Sequence, residues 1–72
     1  DLKPTNAKLV QRAVRLTMFA TGADEGAARA ALEQCNFHVK VAIVALAKKT
    51  SIDQARALLE RAHGSVRQAL AA

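Results

Sequence analysis

The stretch at residues 37–47, FHVKVAIVALA, constrains the fold most, because it is apolar on nearly every face if it is helical. One face of such a helix, at the i, i+3, i+4 and i+7 spacing, carries Val39, Ala42, Ile43 and Leu46. Other apolar residues cover much of the remainder. A helix of this kind has to be surrounded by other elements. We therefore predict that it is the central helix and that Ile43 lies on its most buried face.

The size and composition of the chain limit what it can form. Seventy-two residues make one small domain, in which a deep active-site cleft is hard to accommodate. Hydrophobic residues make up 51% of the chain but aromatic residues only 3%, so the core has to consist of Ala, Val, Leu and Ile. Small side chains of this kind favour closely packed helices.

The basic character of the chain raises the question of a polyanionic partner. The formal net charge is +5 and the isoelectric point is near 10.2. However, the eleven Lys and Arg residues are spread from Lys3 to Arg67, and the chain has no Tyr or Trp to stack on bases. We expect a solvated basic surface and no nucleic-acid partner.

Several features favour a cytoplasmic origin. The single cysteine, Cys35, cannot form an intrachain disulfide, and no positively charged start precedes an apolar run. Lysines interrupt the longest apolar run before it reaches the roughly 18 residues that span a bilayer. We therefore expect no membrane partner. The abrupt ends of the sequence lead us to expect one helical domain, 1–72, cut from the C-terminal part of a longer enzyme.

Local signals place five helices. Pro4 is tolerated only near a helix start, after which Thr5 or Asn6 can cap the first helix. Further caps are expected at Asp24, Ser51 and Ser65, the last two within capping-box patterns, and helix ends are expected at Gly22, Asn36 and Gly64. The resulting prediction is an all-α fold with helices at about residues 6–20, 25–35, 38–48, 52–62 and 66–71.

Helical periodicity also predicts which residues are buried. In the first helix the predicted stripe is Leu9, Val10, Ala13, Val14, Leu16 and Thr17. In the second helix it is Ala27, Ala28, Ala31, Leu32 and Cys35.

The sequence contains an internal similarity with an offset of 27 residues. When residues 24–43 are laid on residues 51–70 without gaps, seven of twenty positions are identical. The identical pairs include Ala28/Ala55, Leu32/Leu59 and Ala42/Ala69. This pattern indicates either a duplicated helix pair or a chance likeness between two Ala-rich amphipathic helix pairs.

No group of residues in the sequence resembles a catalytic or metal site. His38 and His63 are far apart and lack further ligands at metal-binding spacing. Cys35 falls in a core stripe, where a free thiol behaves as a small hydrophobe. Glu33 and Glu60 each follow an arginine by one helical turn on a polar face, which indicates solvated charges rather than an acid/base pair. We predict no catalytic residue, no metal and no cofactor in this chain.

Four segments carry a resemblance to a known family. They are TNAKLVQRAVR at 5–15, ATG at 20–22, VKVAIV at 39–44 and AHGSVRQAL at 62–70. In order and spacing they resemble the C-terminal domain of bacterial N-acetylmuramic acid 6-phosphate etherases. Phe37 departs from that pattern, in which a small residue or glycine is frequent, and so do the charged residues Lys48 and Lys49.

The resemblance implies a cytoplasmic lyase of cell-wall recycling that cleaves the D-lactyl ether of N-acetylmuramic acid 6-phosphate without a metal. It also implies that the phosphosugar site and the catalytic glutamates belong to an upstream sugar-isomerase-type domain. The glucokinase regulatory protein is similar to this family, and its helical C-terminal part caps sugar-phosphate domains. The role expected here is therefore capping, dimer support or stabilisation, with the full-length enzyme a homodimer.

A basic face of the first helix is the candidate contact with that upstream domain. Lys8, Arg12 and Arg15 follow the i, i+4, i+7 spacing, and this helix is the first to emerge from the upstream part. We expect Asn6, Lys8 and Arg12 to face the phosphosugar domain. The alternative is a solvated basic stripe without a partner.

A second resemblance gives an alternative function. The first three helices are similar to the ubiquitin-associated fold and to the N-terminal module of elongation factor Ts. On this interpretation a three-helix unit is followed by a second helix pair, and the chain is a free-standing protein- or peptide-binding module. Such a module needs an exposed apolar patch, for which Met18 and Phe19 are the candidates.

Overall fold

The computed structural model describes residues 7–71, which form five α-helices and contain no strand. The helices are α1 (Ala7–Thr21), α2 (Glu25–Gln34), α3 (Val39–Lys48), α4 (Ile52–Arg61) and α5 (Val66–Ala71). The predicted all-α, five-helix fold is confirmed, and each helix end lies within one residue of its expected position. The predicted cap at Thr5 or Asn6 lies outside the described residues.

Three side chains cap helices as predicted. Each accepts a hydrogen bond from the backbone N–H three residues ahead: Asp24 from Ala27 at 2.8 Å, Ser51 from Gln54 at 3.1 Å, and Ser65 from Gln68 at 3.2 Å. The return half of the capping box at Ser51 is replaced, because the side-chain carbonyl of Gln54 accepts from the Thr50 hydroxyl. The caps therefore act through the hydroxyl and carboxylate groups alone.

The helices end in left-handed backbone. Positive φ angles occur at Gly22 (76°), Asn36 (55°), Phe37 (60°), Lys49 (53°), His63 (55°) and Gly64 (82°). In the turn after α2 the Phe37 N–H donates to the Leu32 carbonyl at 2.7 Å, and in the turn after α4 the Gly64 N–H donates to the Leu59 carbonyl at 2.8 Å. These bonds satisfy carbonyls that the helix ends leave without a partner.

Helix α3 is the central helix, since it contacts each of the other four. Its buried residues are Val41, Ala42, Val44 and Ala45. The prediction that Ile43 lies on the most buried face is wrong, because Ile43 is only half-buried. A helix that is apolar all round has no periodic contrast, so the positions of its neighbours alone decide which face is buried deepest.

The predicted stripe of α1 is too wide. Val14 and Thr17 are buried, whereas Leu9 and Leu16 are about half exposed, at 52% and 51%. Helix α1 lies at the edge of the bundle and packs mainly on α2 and α3, so only one side of it is covered. In α2 the same correction applies to Ala27, which is exposed.

The core consists of small side chains, as the composition predicts. Four alanines have no exposed surface, namely Ala28, Ala42, Ala55 and Ala69. The buried hydroxyl of Thr17 donates to the Ala13 carbonyl one turn earlier at 2.9 Å, so this polar group has a hydrogen-bond partner. Small residues at the contacts let the short helices approach one another closely.

The two helix pairs α2–α3 and α4–α5 follow one pattern with an offset of 27 residues. Helix α2 spans 25–34 and α4 spans 52–61, while α3 begins at 39 and α5 at 66. The turns match as well, because Asn36 and His63 both have a φ of 55°. The similarity in the sequence therefore corresponds to a repeated helix–turn–helix unit.

Helix α1 belongs to the same pattern. It ends at 21 and α3 ends at 48, an offset of 27, and each is followed by a left-handed residue, Gly22 or Lys49. Thr17 and Val44 occupy equivalent positions and are both fully buried. Helix α1 therefore stands before α2 and α3 as α3 stands before α4 and α5.

Candidate interaction surface on the first helix

The outward side of α1 carries three large apolar side chains that are exposed in the described part of the chain. Leu9 and Leu16 are about half exposed and Phe19 is 91% exposed. Single exposed leucines are ordinary on protein surfaces. Three large apolar side chains along one helix are the kind of patch that marks an interaction site.

Basic side chains run beside this apolar stripe. Lys8, Arg12 and Arg15 are exposed, and together with Gln11, Leu16 and Phe19 they line one shallow region of the surface. We call the set Lys8, Leu9, Arg12, Arg15, Leu16 and Phe19 the α1 outer face. Because all the lining residues come from a single helix, this region is a helix surface rather than a cleft. It suits a macromolecular partner better than an enclosed small molecule.

The predicted contact residues fall partly on this face. Lys8 and Arg12 lie on it, and Asn6 lies outside the described residues. Of the two candidates for an apolar patch, Phe19 is exposed, whereas Met18 is half-buried and packs against the core. Periodicity alone missed Leu9 and Leu16, which it assigned to the core. Their signal in the sequence was their place beside Arg12 and Arg15 on the polar side.

The exposed carboxylates form no acid/base pair. Glu33 and Glu60 lie on the surface of α2 and α4. The neighbouring arginines pair with earlier residues instead: Arg29 with Glu25 at 3.3 Å and Arg56 with Asp53 at 4.0 Å. Such exposed pairs contribute only about 0.3–0.5 kcal/mol to stability.

The thiol of Cys35 is buried in the core, as predicted. Its Sγ atom donates to the His38 carbonyl at 3.4 Å and approaches the Leu32 carbonyl at 3.6 Å. Burial raises the pKa of the Cys35 thiol above its ordinary value. A neutral, inaccessible thiol is a poor nucleophile, so Cys35 acts as a packing residue.

Two further observations concern metals and membranes. Within residues 7–71, no three His, Cys, Asp or Glu side chains come together in a way that could hold a metal ion. His38 and His63 are both exposed. None of the helices in that range has the length and apolar character needed to cross a membrane.

Comparison with known proteins identifies close relatives of this chain. It is similar to the N-acetylmuramic acid 6-phosphate etherases of Yersinia pestis (strain Pestoides F) and Yersinia pseudotuberculosis (serotype O:1b), with 49% identity over 70 residues in each case. The match covers 97% of this chain and 24% of each relative, in its C-terminal region. The resemblance found in the sequence is thereby confirmed, and the chain spans about a quarter of the length of these relatives. No protein-family model matches the chain.

Proposed function

We propose that this chain is the C-terminal accessory domain of an N-acetylmuramic acid 6-phosphate etherase. The full-length enzyme would be the lyase that cleaves the D-lactyl ether of its substrate to N-acetylglucosamine 6-phosphate and D-lactate. The observation that carries this proposal is the 49% identity over 97% of the chain to proteins of that name. The phosphosugar site would belong to the upstream sugar-isomerase-type domain.

The described residues support an accessory rather than a catalytic role. Every Asp and Glu between residues 7 and 71 is exposed. A catalytic carboxyl normally has a partly desolvated environment that tunes its pKa and a position within hydrogen-bond reach of the substrate. An exposed carboxylate on a convex helix surface offers neither. We infer that the chain caps or stabilises the upstream domain or supports a homodimer, and that it does so in the cytoplasm.

The α1 outer face is the proposed contact with the upstream domain. Lys8 and Arg12 would face acidic groups or phosphate there, and Asn6 would extend the contact. Two adjacent cations on one face can form charge-assisted hydrogen bonds with carboxylate or phosphate oxygens. Side chains that meet a partner in this way become desolvated and have a measurable effect on function.

The experiment requires the full-length protein, obtained by reading the gene upstream. In that protein Lys8→Ala with Arg12→Ala should raise KM or lower kcat for D-lactate release by about tenfold, equivalent to roughly 1.4 kcal/mol. The matched control is Arg61→Ala with Arg67→Ala, which removes the same charge from exposed positions on the other helices. The control should leave both kinetic constants unchanged.

Three results would count against the proposal. An upstream region unrelated to a sugar isomerase would refute the assignment to an etherase. D-lactate release by the isolated 72-residue chain would refute its accessory role. Full activity of the folded Lys8→Ala, Arg12→Ala protein would return these residues to the solvated surface.

The exposure of Phe19 favours a second candidate function. A free-standing ubiquitin-associated-like module would bind its partner through an apolar patch near the first loop, and Phe19 lies two residues from the end of α1. The discriminating measurement is titration of the isolated chain with ubiquitin, followed by NMR. Shifts confined to α1 and the first loop would support the module, and unchanged spectra would exclude it for ubiquitin.

A further inference from the structure

The internal repeat shows what normally covers a helix in the position of α1. Leu46, near the end of α3, lines a shallow groove with Ala27 and Ala31 of the preceding helix α2. Subtraction of 27 from Leu46 gives Phe19. Phe19 is thus the counterpart of a half-buried residue that packs beside a preceding helix, yet it is almost fully exposed itself.

The equivalence extends along the helix. Ile43 of α3 corresponds to Leu16 of α1, and both are apolar. Ile43 is half-buried in α3, whereas Leu16 is 51% exposed. The α1 outer face is therefore the surface that a preceding helix covers in the next unit of the repeat.

We propose that, in the full-length protein, an amphipathic helix of the upstream part packs on the α1 outer face as α2 packs on α3. Phe19 and Leu16 lie in the contact, and carboxylates of that helix face Arg12 and Arg15. This inference rests on the proposed function, because it takes its occupant from the longer enzyme. It adds the identity of the anchor residues and the chemistry of the partner surface.

The repeat also excludes the segment immediately before α1 as the covering helix. Helix α2 ends at residue 34, and 34 minus 27 is 7. Residue 7 is already the first residue of α1, so a helix equivalent to α2 cannot precede α1 directly. The covering helix has to come from farther upstream. The relatives are long enough to supply it, because the match covers only 24% of their length.

The charges on the α1 outer face determine the chemistry of the partner. Where α3 has Val39 and Ala42, α1 has Arg12 and Arg15. Covering these guanidinium groups without partners would be costly, so the covering helix has to bring carboxylates. A second copy of this chain would instead place arginines against arginines across a two-fold axis. A partner in the same chain also has a high effective concentration, which lets a small face bind.

Thiol labelling tests whether the face is covered. Leu16→Cys leaves Phe19 in place, and the buried Cys35 does not compete for the reagent. In the isolated chain this thiol should react rapidly with N-ethylmaleimide, and in the full-length protein at least about tenfold more slowly. The control, Ala57→Cys on the exposed side of α4, should react equally fast in both proteins. Mass spectrometry of the labelled peptides separates these sites from upstream cysteines.

Charge reversal tests the chemistry of the partner. Adding Arg12→Glu and Arg15→Glu to the full-length Leu16→Cys protein should restore labelling to near the rate of the isolated chain. The control pair Arg61→Glu and Arg67→Glu makes the same change in net charge elsewhere and should leave Leu16→Cys protected. Circular dichroism of the variants in the isolated chain verifies that they fold.

The possible outcomes separate this inference from the proposed function. Equal labelling of Leu16→Cys in both proteins overturns the docking site, and protection that survives the charge reversal overturns the acidic partner. Labelling of the isolated chain that slows as its concentration rises would make a second copy the occupant and overturn the inference. D-lactate release is measured in parallel on the full-length protein, and its absence refutes the proposed function independently of the labelling result.

Discussion

The turn after α3 offers a sharp test of the repeat. Lys49 has a left-handed backbone, with φ 53° and ψ 50°, and an exposed side chain. Its counterpart 27 residues earlier, Gly22, has a φ of 76° and no side chain to strain. We predict that Lys49→Gly stabilises the domain.

The magnitude follows from two opposing terms. A left-handed conformation costs an L-residue about 1–2 kcal/mol. Glycine returns part of this gain, because ordering its more flexible backbone costs about 0.5–1 kcal/mol relative to alanine. The net gain in the free energy of unfolding is therefore between about 0.5 and 1 kcal/mol, or a rise in Tm of about 2–8 °C for a domain of this size.

Lys49→Ala is the matched control. It removes the same charge from the C-terminal end of α3 but keeps the strained backbone, so the difference between Lys49→Gly and Lys49→Ala isolates the conformational term. The reciprocal change is Gly22→Ala. A Cβ built at Gly22 meets no atom within 4 Å, so its expected loss, also between about 0.5 and 1 kcal/mol, comes from the backbone alone.

Thermal and urea unfolding followed by circular dichroism would measure these differences in the isolated chain. The expected order of stability is Lys49→Gly above Lys49→Ala, and the parent above Gly22→Ala. If Lys49→Gly is no more stable than Lys49→Ala, the left-handed turn is not a source of strain and the reasoning fails. Opposite signs at the two equivalent positions would support both the turn conformation and the repeat.

Two further predictions concern the core. Val44→Asp should unfold the chain, at a cost above about 4 kcal/mol, because Val44 has no exposed surface and the carboxylate would have no partner; equal melting of Val44→Asp and the half-buried Ile43→Asp would contradict this. Stability should fall as the pH rises through the pKa of the unfolded Cys35 thiol, about 8.5, because the raised pKa keeps the folded thiol protonated while the unfolded one ionises. Cys35→Ala should lack that part of the slope in denaturant titrations between about pH 8 and 9.5.

Helix boundaries were predictable from the sequence because capping is a local interaction. Asp24, Ser51 and Ser65 each bond a backbone N–H only three residues ahead, so neither the cap nor its partner depends on distant parts of the chain. The helix ends at Gly22 and Gly64 were predictable for the same reason, since a positive φ is a property of one residue and its neighbours.

The positive φ of Phe37 was not predictable in this way. A bulky residue rarely adopts φ 60°, and its type gave no signal for it. Phe37 packs against the core, so its ring is anchored by tertiary contacts. The equivalent position in the second unit is Gly64, which adopts a positive φ without that anchor. A small residue is frequent at the Phe37 position in the family that the sequence resembles, and the left-handed conformation explains why one suits it.

The candidate site was only partly accessible to sequence reasoning. The basic residues Lys8, Arg12 and Arg15 were placed on one face by their spacing alone, since residues three and four apart are neighbours on any helix. Whether Leu16 and Phe19 join that face or the core depends on how many sides of α1 are covered. The sequence does not contain that number in any local form.

The sequence by itself determined that the chain forms five helices, where they begin and end, and that their core is made of small apolar residues. Those properties follow from local capping, local periodicity and composition. Only the tertiary structure decided that Val44 rather than Ile43 lies deepest in α3, and that α1 continues the repeat with an uncovered outer face. Burial depends on which neighbours surround a helix, and helices such as α1 and α3 can be equivalent in the fold while few of their residues are the same.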